Sequence, residues 1–104
     1  MIPQETIAKI FDSADIVEVI GDFIHLKKSG SNFKGLSPFA NEKTPSFMVS
    51  PGKRIFKDFS SGKGGNVVSF LMEHEHLSYP EALKWLANKY NIEIEETQET
   101  EEQI

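Results

Sequence analysis

The chain has 104 residues, with 11 Lys and Arg against 16 Asp and Glu and a formal net charge of −5. That length suits one small domain with a thin core, burying roughly 60–65% of its unfolded surface. The chain contains no cysteine, which excludes a disulfide staple and leans towards a reducing compartment. No apolar run approaches the roughly 20 residues of a membrane span and no signal-peptide pattern opens the chain, so a cytoplasmic setting away from membranes is expected.

The acidic excess is segregated. Glu93, Glu95, Glu96, Glu99, Glu101 and Glu102 crowd the end without a single Lys or Arg. Between Leu26 and Lys63 the balance reverses: Lys27, Lys28, Lys34, Lys43, Lys53, Arg54, Lys57 and Lys63 face only Glu42 and Asp58. A basic middle before an acidic end points to a polyanionic partner and a solvated tail.

In chain order, "IPQETIAKIFDSAD" places Pro3 at a helix start, with Ile7, Ile10 and Phe11 at helical spacing. "DIVEVIGDF" predicts a second helix, with Asp15 as N-cap and Gly21 as stop. From Phe23 the pattern changes to two short alternating runs around Ser29-Gly30-Ser31, a hairpin signal. "SFMVS-PGK-RIFKDF" repeats it around Pro51-Gly52, and "SPFANEKTP" links the two hairpins. Residues 66–76 read helical, with Val67, Phe70 and Leu71 on one face. In "SYPEALKWLANKYN", Ser78 and Glu81 form a capping box and Pro80 sits in the first turn, while Leu83, Leu86, Ala87 and Tyr90 line one side. "IEIEE" is expected to add a short last strand. The fold expected is α+β: a small antiparallel sheet flanked by helices at both ends. A domain over residues 1–94 and a disordered linker start over 95–104 complete the expectation.

Two motif tests bear on chemistry. A P-loop needs Gly, four residues, then Gly-Lys-Ser/Thr. Counting back from Gly62-Lys63 puts Lys57 where the first glycine belongs, and Gly64 stands where the hydroxyl should be. What remains is loose anion binding at a helix start beside Lys63. The second test concerns spacing. "SPFA" and "DFSS" each hold two positions parted by two residues, and 17 residues separate Ala40 from Asp58. Those are the dimensions of a zinc knuckle.

"LKKSGSNFKGLSPFANEKTPSF" and "FKDFSSGKGGNVVSFLMEHEHLSYPEALKWLA" together resemble the N-terminal zinc-binding domain of bacterial DNA primases of the DnaG type. The resemblance covers roughly residues 2–94. That family writes Cys-Pro-Phe-His-x-Glu-Lys-Thr-Pro-Ser-Phe and then Cys-Phe-Gly-Cys-Gly-x-Gly-Gly. At the four ligand positions this chain has Ser37, Ala40, Asp58 and Ser61. Serine is a poor zinc ligand and alanine is none, while His25, His74 and His76 would need an unrelated geometry. The expectation is a metal-free variant of the zinc ribbon. Its loops would be joined by Asp58 accepting hydrogen bonds from the Ser37 or Ser61 hydroxyls and from turn N–H groups.

The resemblance implies a module that reads single-stranded template DNA beside a magnesium-dependent polymerase domain of the same protein, with a replicative helicase as a further partner. No catalytic residue is expected within these 104 residues. Single-strand binders combine a basic track with rings on which bases stack. The candidates are Lys27, Lys34, Lys43, Arg54, Lys57 and Lys63 for phosphate, and Phe33, Phe47 and Phe56 for bases. In a strand, Lys27 and Lys28 point to opposite faces, so one of them contributes. The rival readings are a stand-alone protein-interaction module and a small regulatory nucleic-acid binder with no enzyme attached. Total coding length would separate them from a primase.

Overall fold

The computed structural model describes residues 2–41 and 44–95. Four helices and five strands follow in the order α1 (Gln4–Ser13), α2 (Ile16–Gly21), β1 (Lys27–Ser29), β2 (Asn32–Gly35), β3 (Phe47–Ser50), β4 (Ile55–Asp58), β5 (Gly64–Gly65), α3 (Val67–His74) and α4 (Tyr79–Lys89). This is the α+β class expected. Among the described residues no helix is long and apolar enough to cross a membrane. The described residues divide into two compact units, one of residues 2–14 and 78–95, the other within 15–77.

In the first unit α1 packs on α4. The apolar stripe of α4 buries Ala82, Leu83, Leu86 and Ala87, and that of α1 buries Ile10. Ser78 starts α4 with the expected reciprocal cap: its hydroxyl accepts from the Glu81 N–H, and the Glu81 carboxylate accepts from the Ser78 N–H. After α4 the chain turns at Asn91, whose φ is +58°. Residues 92–95 form no strand, contrary to expectation, and Glu96 onward lies outside the described residues. Alternation over so few positions sufficed to suggest a strand, but strands stand only when a partner takes up their backbone groups.

The second unit is built on the sheet, ordered β1-β2-β3-β4-β5 and antiparallel throughout. The first hairpin turns at Gly30, whose φ of +66° suits a residue without Cβ. Asp15 caps α2 as expected, accepting from the N–H groups of Val17 and Glu18. Strand β5 was not foreseen. Its two glycines carry no side-chain pattern, yet their backbones pair with Phe56 and Lys57. The glycine-rich stretch is therefore a sheet edge before it is a helix start. The helix begins only at Val67, behind an Asn66 side chain that accepts from the Ser69 N–H.

Register sorts the side chains. Phe33, Val49 and Phe56 lie in one cross-strand row, and Gly35, Phe47 and Asp58 in the next of the same parity. This face packs on α2 and α3, where Val19, Ile20, Val67, Val68, Phe70 and Leu71 are buried. Phe47 and Phe56 stack at 5.5 Å between ring centroids, and Phe56 meets Phe70 edge-on at 5.6 Å. Burying each such ring stabilises the fold by about 1.5–3 kcal/mol.

Candidate functional site

The opposite face of the sheet has a different composition. Lys27 sits across from Lys34, Lys34 from Met48, Met48 from Lys57 and Lys57 from Gly64, so one row crosses all five strands. At the usual strand spacing the three lysines span roughly 14 Å. All three are exposed. Among the described residues no carboxylate forms a salt bridge with them. The Lys57 ammonium donates to the Gly62 carbonyl at 3.3 Å. Like charges directly across a strand pair cost stability. The fold alone gives no reason to place Lys27 opposite Lys34.

Large apolar side chains flank the row. Leu36 and Ile55 are 50% and 41% exposed, and Phe59, one step past the end of β4, is 68% exposed. Its backbone N–H donates to the Ser46 carbonyl, which fixes the main chain that carries the ring.

The rings named from sequence fall elsewhere. Phe47 and Phe56 are 0% and 1% exposed and belong to the core, which corrects their assignment to base stacking. A ring enclosed by the sheet and α3 cannot take a base on either face. Phe33 is half-buried in the same row as Val49 and Phe56. Among the cations, Lys28 pairs with Phe33 on the inner parity, as the strand geometry required. Arg54 lies exposed in the β3–β4 turn with φ +58°. Lys63 forms an ion pair with Glu73 of α3, its ammonium 5.8 Å from the Phe39 ring centroid. Lys43 lies outside the described residues. Phe59 is an exposed ring that was not among those named from the sequence. Its parity with Ile55 and Lys57 was the available signal.

On the inner side, the loops before β3 and after β4 meet at Asp58, which is fully buried. The Ser37 and Ser61 hydroxyls each donate to its Oδ2 at 2.6 Å, and the Ser60 N–H approaches Oδ1 at 3.4 Å. The serines extend the network: Ser37 Oγ accepts from the Phe39 N–H at 3.1 Å and Ser61 Oγ from the Lys63 N–H at 3.2 Å. The Asp58 backbone closes the turn, its N–H donating to the Lys63 carbonyl and its carbonyl accepting from Gly62. Among the described residues no buried side-chain polar atom lacks a partner. Burial pushes the Asp58 carboxyl up, but the bonds from Ser37, Ser61 and the turn backbone together outweigh it and hold it below the ordinary aspartate value.

This donor set does not fit zinc. Both hydroxyl protons are committed to one carboxylate oxygen, Ala40 offers no donor, and zinc sites are made of thiolate, imidazole and several carboxylates. Among the described residues no three His, Asp or Glu side chains gather where they could hold a metal ion.

Comparison with known proteins agrees with this architecture. Residues 2–102 match the CHC2 zinc finger family. The DNA primase of Listeria innocua is 51% identical over 94 residues, which cover 90% of this chain and 15% of that protein. The DNA primase of Geobacillus stearothermophilus is 50% identical over 93 residues, 89% of this chain and 16% of that protein. The crystal structure of the Aquifex aeolicus primase, comprising zinc-binding and RNA polymerase domains, superposes with a TM-score of 0.81 at 40% identity, covering 90% of this chain and 23% of that one. The chain thus spans about a sixth of the length of the curated relatives it matches.

Proposed function

Because the chain belongs to the CHC2 zinc finger family of bacterial DNA primases, we propose that it is the template-recognition module of such an enzyme. In this reading residues 2–94 hold single-stranded DNA while a polymerase domain of the same protein, using magnesium, makes the RNA primer. A replicative helicase would be the partner that recruits them, and the setting cytoplasmic. Catalysis belongs to the polymerase domain. Ser37, Ala40, Asp58 and Ser61 occupy the four ligand positions of the family, and the Asp58 network takes over the loop closure that zinc provides there.

One observation carries the reading: Lys27, Lys34 and Lys57 form an exposed row across the sheet, with the Phe59 ring exposed beside it. Cations at strand spacing meet successive phosphates, and a presented ring stacks a base without regard to its identity. Binding of a short oligodeoxynucleotide, followed by fluorescence anisotropy at stepped salt, tests it. Log affinity should fall linearly with log salt, and Lys27→Ala or Lys34→Ala should each reduce the slope by about 0.7. Lys28→Ala, on the other parity, should leave the slope nearly unchanged. No binding at low salt, or equal effects from all three variants, would remove the template-reading role.

A further inference from the structure

Beside the lysine row, a cavity of about 380 Å³ opens between the first hairpin and the loop leading to β3. Leu36 lies in its lining with Ile24, Pro38 and Pro45, and Lys27 and Lys34 border it. Its size and mostly apolar lining with a few polar groups are those of a small-ligand subsite. The backbone closes one side tightly. A Cβ on Gly35 would lie 2.6 Å from the His25 carbonyl oxygen, so the approach of these two segments depends on that glycine. Ser37, also in the lining, is fixed by its bond to Asp58. The loop wall is thus held in place from behind, while Leu36 in front remains half exposed.

We propose that this cavity is a subsite for one base of the single strand, whose neighbouring phosphates lie on Lys27 and Lys34. The inference rests on the outer face being the single-strand surface and adds where a base is held. The occupant follows from the chemistry of the lining. An apolar slot bordered by two cations suits a flat ring that offers its π-face and is joined to an anion, which is what a nucleotide presents. A purely apolar peptide side chain would leave Lys27 and Lys34 without a counter-charge. In this arrangement Phe59 stacks one base at the far end of the row and the slot encloses another, so the two contacts are separable.

The test uses the whole 104-residue chain and two probes of equal length and charge: a thymidine oligomer and its fully abasic counterpart. The thymidine strand should bind about tenfold or more tighter at one salt concentration, with the two salt slopes alike. Leu36→Gln changes an exposed side chain, and its thermal midpoint verifies the fold. It should narrow the ratio of affinities about threefold. Phe59→Ala should narrow it independently, the double variant combining both losses. Methyl resonances of Ile24 and Leu36 should shift on adding the thymidine strand and stay still with the abasic one. Methyls that stay still with both strands, while resonances of the lysine row move, would overturn the slot and leave the single-strand surface standing. Methyls that move equally with both strands would show that phosphate or sugar occupies the cavity, and would also overturn the base subsite. If neither strand binds at low salt, the reading of the outer face fails and the slot fails with it.

Discussion

Lys57 and Asp58 are neighbours in β4, yet they belong to regions that treat charge in opposite ways. Asp58 is fully buried and receives two hydroxyl protons on one oxygen. Lys57 lies exposed in a row of like charges, its ammonium donating to a carbonyl at 3.3 Å. A charge removed from water is tolerable only when its partners are complete, so the inner region is one whose purpose is the fold. A row of exposed like charges contributes nothing to the fold and slightly opposes it, so stability does not account for the outer region. The same strand supplies both because successive side chains alternate in direction.

Breaking the inner region should produce the largest effect. Asp58→Ala leaves the Ser37 and Ser61 hydroxyls without their acceptor and should lower stability by about 2–3 kcal/mol, read as a shift in urea midpoint. A loss below about 0.5 kcal/mol would show that the loops close without the carboxylate. The pH dependence sharpens the point. The Asp58 carboxyl is held below its ordinary value in the folded state, so its contribution is complete above the unfolded value of about 3.9. It disappears as pH falls through the folded value. The stability gap between the parent and Asp58→Asn should therefore stay constant from about pH 8 to pH 5 and close in stronger acid.

Changes in the outer region should leave stability alone and act on binding. Phe59→Ala should weaken single-strand binding about tenfold, within the 1–3 kcal/mol that stacking one base provides, without moving the thermal midpoint downwards. Lys63→Ala should do less to binding than Lys34→Ala, because Glu73 already neutralises Lys63. That ion pair is exposed, so its loss should cost well under 1 kcal/mol in stability. The smallest effect belongs to metal removal. Melting curves with and without a strong chelator should superimpose, and a clear fall in midpoint would show that a bound ion contributes to folding.

Much of this was legible in the sequence, and the failures have identifiable causes. The helix caps at Asp15 and Ser78 were readable because capping depends on a few neighbouring residues. The hydroxyl–carboxylate contacts of Ser37, Ser61 and Asp58 followed from placing those residues at the corners of a known knuckle spacing. The choice of Phe47 and Phe56 failed. Alternation shows that Phe47 and Phe56 share a face with Val49, but not which face meets the helices. The shared parity of Phe47, Val49 and Phe56 was the clue, against the mixture of Lys57, Ile55 and Phe59 on the other face. Strand β5 was invisible because pairing of two glycines is decided entirely by backbone groups of β4. The cavity beside Leu36 arises from Gly35 letting two segments touch, a tertiary fact that no local pattern encodes.

The closure at Asp58 also changes what the surroundings can do to this domain. A thiolate knuckle responds to oxidants, because its sulfurs climb from sulfenate to higher acids and release their ion. Hydroxyls and a carboxylate have no such chemistry, and a chain without cysteine offers no thiol to oxidise. A domain closed in this way keeps its loops joined through oxidative stress and through zinc starvation alike. Its vulnerability moves to strong acid, where the one carboxylate takes up a proton.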